Sequence, residues 1–537
     1  MKRYIKKIVP LLAVALSFGT SSCVGDLDVT PIDPNYVEPT AEQLFTKCYA
    51  TMAMAGNGGA DGDSDVDGID GGTSGYYRQM WNAQELTTDE AICGWGDEGI
   101  ANFCDNSYDA SHPMLRGYYY RLYTAITFCN QYLDQYGDYD ATMTAEIRFL
   151  RAFHYFQLMD GWGDVAFTTE ISSAAPEQRP RAEVFKFIED ELLDIEPNLS
   201  EAKAKKSTDA NYGRVDKAAD WLLLARLYLN AEVYTGTAQW DKAAEYAQKV
   251  MNSNYLLNTA GIGVWSAYQM LFMGDNGETD AAYEFIFPLL QDGKRTTSWG
   301  TSLYLIAGPW KGDLMHENPL DPSATNGTGQ DWKGQRSRKE LVLKFFPSGN
   351  APLGLPGYEM KREAGDDRAM FSSVGCTLEN EEMGVFESGF SVAKFTNFKT
   401  DGSAGHDSNH PDMDCPLMRK AEAYLIYAEA TARQNGGKAT SAGVDALNQI
   451  RLRAHASANS SYSLNDILDE WSREFYFEGL RRTCLIRFGK YGGNTDYQWS
   501  WKGGTYEGRD FPAYRNLFAI PTTDLTANSN LVQNPGY

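Results

Sequence analysis

Three tryptophans stand in glycine-flanked polar stretches: Trp95 in Cys93-Gly94-Trp95-Gly96-Asp97-Glu98, Trp299 in Thr297-Ser298-Trp299-Gly300, and Trp332 in Gly329-Gln330-Asp331-Trp332-Lys333-Gly334. Sugar rings have apolar C–H faces and hydroxyl rims. A site for them therefore needs flat aromatic surfaces with charged or amide groups beside them. These stretches offer both. A core tryptophan normally sits in a helical or strand pattern, which these lack, but tryptophan is mostly buried on average. On pattern alone, sugar stacking and packing stay open as alternatives.

Other constellations carry less. Asp63-Ser64-Asp65-Val66-Asp67-Gly68 matches the start of an EF-hand loop, but the twelfth position, which needs a bidentate Glu, is Ser74. It reads as a solvated acidic loop. His406 and His410 are four residues apart, yet Pro411 follows and no helical pattern surrounds them, so a zinc pair is not expected. No HExxH, GxSxG, P-loop or dinucleotide fingerprint occurs. Among 72 acids, no pair stands out as a glycosidase couple, which needs two carboxyls about 5–10 Å apart. After Cys23, the cysteines at 48, 93, 104, 129, 376, 415 and 484 are widely and irregularly spaced, which argues against a zinc site, a redox motif or a disulfide scaffold.

The elements that must carry these loops read as mainly α. The chain has 537 residues, 43% apolar and 13% aromatic, too rich in both for disorder. A net charge of −24 with no basic tract excludes nucleic acid as a partner. Thr40 caps a helical run beginning AEQLFTKCYATMAM. Helical spacing of apolar residues then predicts helices over 114–136, 145–162, 215–234, 241–251, 418–434, 444–456 and 465–488. Helix pairs with Ala and Tyr at close-packing positions are similar to tetratricopeptide repeats, and about four pairs are expected. Residues 258–412 read as long loops and short strands, and loops of that length in a compact body are usually functional.

Residues 1–22 read as a secretory signal, with Lys2, Arg3, Lys6 and Lys7 before an apolar run too short to cross a bilayer. Thr20-Ser21-Ser22-Cys23 is similar to a bacterial lipoprotein processing site, which predicts Cys23 as an acylated mature N-terminus on an extended tether over residues 23–39.

The lipoprotein signal with DLDVTPIDPN, WLLLARLYLNAEVYTG at 221–236, AGDDRAMF at 364–371, REFYFEGLRR at 473–482 and the closing IPTTDL…NLVQNPGY resemble the SusD/RagB family of surface glycan-binding lipoproteins of Bacteroidota. The resemblance spans nearly the whole mature chain. It is greatest to the family's starch-binding member, through DGDSDVDGIDGGTSGYYR, NAQELTTDE and QDGKRTTSWG. It implies one compact SusD-like body, with an N-terminal region at 40–257 and a C-terminal region at 258–537.

The resemblance also implies a non-catalytic protein anchored in the outer membrane at the cell surface, which binds starch or malto-oligosaccharide and hands it to a SusC-like TonB-dependent transporter. Trp95, Trp299 and Trp332 then correspond to an aromatic arc, with Trp299 replacing a tyrosine. Asp70 and Arg78 correspond to an acid and an arginine that bond sugar hydroxyls, and Glu98 stands in place of an asparagine. No cofactor is required, but structural calcium is allowed for near Asp414 and Asp275. Two other functions fit the bare residues: a glycoside hydrolase acting on surface polysaccharide, and a helical-repeat scaffold that binds only protein.

Overall fold

A computed structural model describes residues 37–537 apart from residue 313. The signal segment, Cys23 and the tether up to residue 36 lie outside the described residues. The chain divides at residue 43, and Leu44–Tyr537 form one compact unit. At the foot of α1 (Ala41–Ala53), the Thr40 N–H donates to Gln43 Oε1 at 2.9 Å and the Gln43 N–H to Thr40 Oγ1 at 3.3 Å. These two bonds satisfy helix-start amides that would otherwise lack partners.

The protein is mainly helical, as the periodicity predicts. α2 (Pro113–Tyr136) starts with a proline whose missing N–H costs nothing there, and α3 (Ala141–Trp162) is capped by Asp140, which accepts the Met143 N–H. The two pack together, and α4 (Arg181–Ile195) packs on α3. α5 (Lys217–Leu229) pairs with α6 (Trp240–Met251), which lies against α7 (Ala421–Gln434); α7 in turn pairs with α8 (Ser441–Arg453). α9 (Leu464–Phe475) and α10 (Arg481–Arg487) close the series. Each pair buries an apolar stripe that it could not bury alone, such as Leu222, Ala225 and Leu229 on α5.

Three helix readings need correction. Residues 215–234 break at Asn230, and a separate turn of helix covers Ala231–Thr235. The segment starting at Met418 begins as a strand. The helix expected over 465–488 is two helices, because Phe477 and Gly479 adopt φ of 65° and 80°. That break is imposed by tertiary contacts. The Glu478 carboxylate reaches Lys394 and Arg419 at 2.7 Å each, and the Gly479 N–H donates to Glu85 at 2.6 Å.

These residues belong to a buried ionic network. Arg368 pairs with Asp366, Glu470 and Glu474, while Arg419 and Arg453 each bridge Glu284 and Glu474. The sequence blocks AGDDRAMF and REFYFEG that carried the family resemblance thus supply structural ion pairs, whose members would each be costly to leave unpaired.

Two short antiparallel ladders position the tryptophan stretches. β1 (Ala91–Cys93) pairs with β3 (Gln335–Ser337), with Cys93 opposite Gln335. β2 (Phe285–Leu289) pairs with β4 (Cys415–Arg419), with Leu289 opposite Cys415. In an antiparallel pair, the chain leaving one strand runs beside the chain entering the other. The first ladder therefore brings residues after 93 beside those before 335. The second brings residues after 289 beside those before 415.

Candidate functional site

The first ladder continues one step past its strands, through a Gly94 N–H to Gly334 carbonyl bond of 3.0 Å, and delivers Trp95 next to Trp332. The Trp95 indole N–H donates to the Trp332 carbonyl at 2.9 Å, and the two ring centroids are 6.2 Å apart at 61°. Trp332 in turn lies 6.3 Å from Trp299 at 47°. The Trp332 indole N–H donates to Gln330 Oε1 at 3.1 Å, and that of Trp299 to the Ala60 carbonyl at 2.9 Å. Three half-buried indoles thus form one row, each tethered by its only donor. The row needs Gly334, since a Cβ there would lie 2.0 Å from the Trp95 ring.

Arg78 stands at the Trp95 end of the row. Its guanidinium carbon is 4.9 Å from the centroid of the Tyr304 ring and 5.8 Å from that of Trp95. The arginine has no carboxylate ion-pair partner among the described residues and rests on aromatic faces; its Nε is buried without a partner, which leaves the two terminal nitrogens to reach a ligand. Asp70 caps the short helix Gly71–Ser74 by accepting the Thr73 N–H at 3.0 Å. Asp70 and Arg78 meet over Gly72, where a Cβ would fall 3.1 Å from Asp70 Oδ1 and 2.9 Å from Arg78 Nη1. Partial burial pushes the Asp70 carboxyl up. Hydrogen bonds from Thr73 and Gly72, with the Arg78 charge, outweigh this and hold it below the usual range. Glu98 is exposed on the Trp95 loop and makes no hydrogen bond or ion pair among the described residues.

At the other end, the second ladder places the Trp299 loop beside residues 404–412, and the His410 ring packs 4.9 Å from Trp299. His406 points elsewhere, with Nε2 3.3 Å from Asp292 and Nδ1 2.5 Å from Asp412, so the two histidines do not face one common centre. The acidic stretch at 56–68 forms the far wall: the Ala60 N–H donates to Thr297 Oγ1 at 3.1 Å. Its Asp65 is consumed by ion pairs of 2.6 Å with both Lys47 and Arg121. Tyr304 was not singled out from the sequence; His410 stood there only in the discounted histidine pair and Gln330 only as a neighbour of Trp332, neither as a support for the rings. Tyr304 lies in an ordinary buried helical pattern, and nothing local marks the other two for that role.

Asp275 and Asp414 line one cavity of about 540 Å³, together with Asp292 and Asp412. Burial pushes the Asp414 carboxyl up to about 7, against hydrogen bonds from the Gln291 N–H and the Tyr212 hydroxyl, with Asp412 and Glu278 adding repulsion. Asp275 accepts from the Thr400 N–H and hydroxyl on one oxygen, while its other oxygen is buried without a partner. These are hard oxygen donors of the type a calcium ion takes; among the described residues the ligand atoms that converge within 4.8 Å of one another are those of Asp292, His406 and Asp412, on the same cavity.

A sequence profile of the SusD family matches residues 328–537. The chain is 38% identical to the starch-binding protein SusD of Bacteroides thetaiotaomicron over an alignment of 574 residues, covering 100% of this chain and 99% of that protein. It is 25% identical to SusD-like protein P2 of Formosa agariphila, over 79% of this chain and 81% of that one. Its fold resembles the crystal structure of a SusD superfamily protein from Parabacteroides distasonis, with a TM-score of 0.66 at 20% identity, covering 93% of this chain and 100% of the other.

Proposed function

The chain belongs to the SusD family, and on that premise we propose that this glycan-binding protein takes starch-type α-glucans on the Trp95–Trp332–Trp299 row. The row itself carries the reading: three half-buried rings in series, with a guanidinium and an ionised carboxylate at one end, match the apolar faces and hydroxyl rims of a sugar chain. Arg78 can span neighbouring hydroxyls as a donor and Asp70 can accept from them. Each stacked ring adds about 0.5–1.5 kcal/mol beyond its buried area. Three rings with two or three hydrogen bonds give a dissociation constant of roughly millimolar to tens of micromolar. Weak contacts of that kind suit a polymer held by many anchored copies.

The charge state of Asp70 agrees with binding without hydrolysis. A glycosidase needs one carboxyl kept protonated near neutral pH. Asp70, the carboxyl beside Arg78, is held low instead. Glu317 and Asp414, both pushed up to about 7, line other cavities. Among the described residues no helix is long and apolar enough to cross a membrane. In this reading the mature chain is held at the outer-membrane surface through acylated Cys23 and passes its ligand to a TonB-dependent transporter. Asp275 and Asp414 would hold a calcium ion, which would neutralise the buried carboxylates beneath the Trp299 loop.

Calorimetric titration with maltoheptaose tests the central point. The wild type should bind, Trp95→Ala and Trp332→Ala should lose most of the heat with circular dichroism unchanged, and no binding by the wild type would refute the ligand class. Release of reducing ends from amylopectin at catalytic rates would favour the hydrolase instead.

A further inference from the structure

A second pair of half-exposed rings stands on a loop held in a conformation that its residues resist. Trp501 has φ of 68°, where a bulky side chain is an outlier, and Gly503 and Gly504 follow at 60° and 87°. Such a conformation persists only where the surroundings over-determine it. Here the Trp501 indole N–H donates to the Asn380 carbonyl at 2.6 Å, and its backbone N–H to the Tyr506 carbonyl at 3.3 Å. The Tyr506 hydroxyl donates to Glu379 at 2.5 Å; Lys339 binds the same carboxylate at 2.6 Å and lies 5.3 Å from the Tyr506 ring centroid. The two rings are 6.3 Å apart at 68°.

The core does not account for this arrangement. Two residues earlier, Trp499 is 1% exposed and fills the interior, whereas the Trp501 loop holds its rings rigidly without burying them. Two fixed rings with a carboxylate at the Tyr506 hydroxyl and an ammonium over one Tyr506 face repeat the mix of aromatic and charged groups in the Trp95 row, and rings already immobilised have little rotamer freedom left to lose on binding. The platform is also linked to the row. From Asn380 the chain runs to Glu382 and Met383, whose carbonyls bind Arg336, and on to Gly384, whose carbonyl lies 3.2 Å from where a Cβ on Gly94 would sit, next to Trp95. Four residue steps reach at most about 14 Å.

We propose that Trp501 and Tyr506 form a second stacking platform for the same α-glucan chain, engaged by chains long enough to leave the tryptophan row. This rests on the α-glucan reading of the row. A chain bound at the row meets the platform at high effective concentration, so the platform acts chiefly on polymer.

The test uses the full mature chain in native gels containing amylopectin, beside titrations with maltotriose. Trp501→Ala and Tyr506→Ala should each weaken amylopectin retention about fivefold, the size of one lost stacking contact. Both should leave the row's maltotriose affinity unchanged. Wild-type retention by a folded Tyr506→Ala variant, whose hydroxyl and ring sit at the rim, would overturn the proposal even if Trp501→Ala proved unstable. Trp95→Ala reports on the row separately: wild-type retention by that variant would refute the row while leaving losses at Tyr506 to speak for the platform.

Discussion

Replacing Gly334 with alanine should break the tryptophan row without removing any of its rings. Gly334 does not lie in the left-handed region, so alanine meets no backbone strain there. Its Cβ, however, would stand 2.0 Å from Trp95 Cε2 and 2.2 Å from Nε1, distances that force the indole out of its bond to the Trp332 carbonyl. The lost bond costs about 1 kcal/mol of stability. Restricting the unfolded chain returns about 0.4–1 kcal/mol. The melting temperature should therefore barely move. Binding loses one correctly placed ring, about 0.5–1.5 kcal/mol, or roughly two- to twelvefold in the dissociation constant for maltoheptaose. Titration calorimetry on wild type, Gly334→Ala, Trp95→Ala and the double variant reads this directly. Because the glycine acts only through the indole, the double variant should bind no worse than Trp95→Ala alone. Additive losses, or wild-type affinity in Gly334→Ala, would refute the reasoning.

His410→Ala should weaken maltoheptaose binding a few-fold, with little change in melting temperature, because it removes the ring that backs Trp299; unchanged affinity in titrations would show that Trp299 is held by its Ala60 bond alone. Calcium should raise the melting temperature in scanning calorimetry and EDTA should lower it, whereas Asp414→Asn should abolish the response and stabilise the metal-free protein by removing buried charge repulsion; identical curves with calcium and EDTA would count against the ion. Stability should also fall in acid in two stages. Burial depresses His112 to about 4 and His154 to about 3 from 6.5, so below pH 6.5 the unfolded chain takes up protons that the folded one refuses. Glu470 and Glu474 would be raised by burial, but the surrounding guanidiniums hold both at about 2, so their contribution is full above 4.5 and lost as pH falls toward 2. A melting temperature constant from pH 7 to pH 5 would contradict the histidine part.

The helical pairs were legible because amphipathic spacing is a local property: α2 and α3 begin within a few residues of their predicted starts, α2 at Pro113 behind its His112 cap and α3 behind its Asp140 cap. The tryptophan loops were legible as loops for the same reason, through flanking glycines that no helix or strand would favour. The failures are equally local in origin. The apolar pattern through Tyr476, Phe477 and Leu480 continues that of α9, and nothing nearby reveals that Glu478 must turn inward to Lys394 and Arg419.

What the sequence by itself determined is therefore the helical class, the position of the loops, and a set of residues chemically able to hold sugar. Whether those residues meet was decided by the tertiary structure. Trp95 and the Trp332 carbonyl it bonds are 237 residues apart, and they touch because Cys93 pairs with Gln335 across a two-strand ladder. Trp299 meets His410 because Leu289 pairs with Cys415. Register between distant strands is set by burial and backbone pairing across the whole fold, and no spacing within either segment encodes its partner.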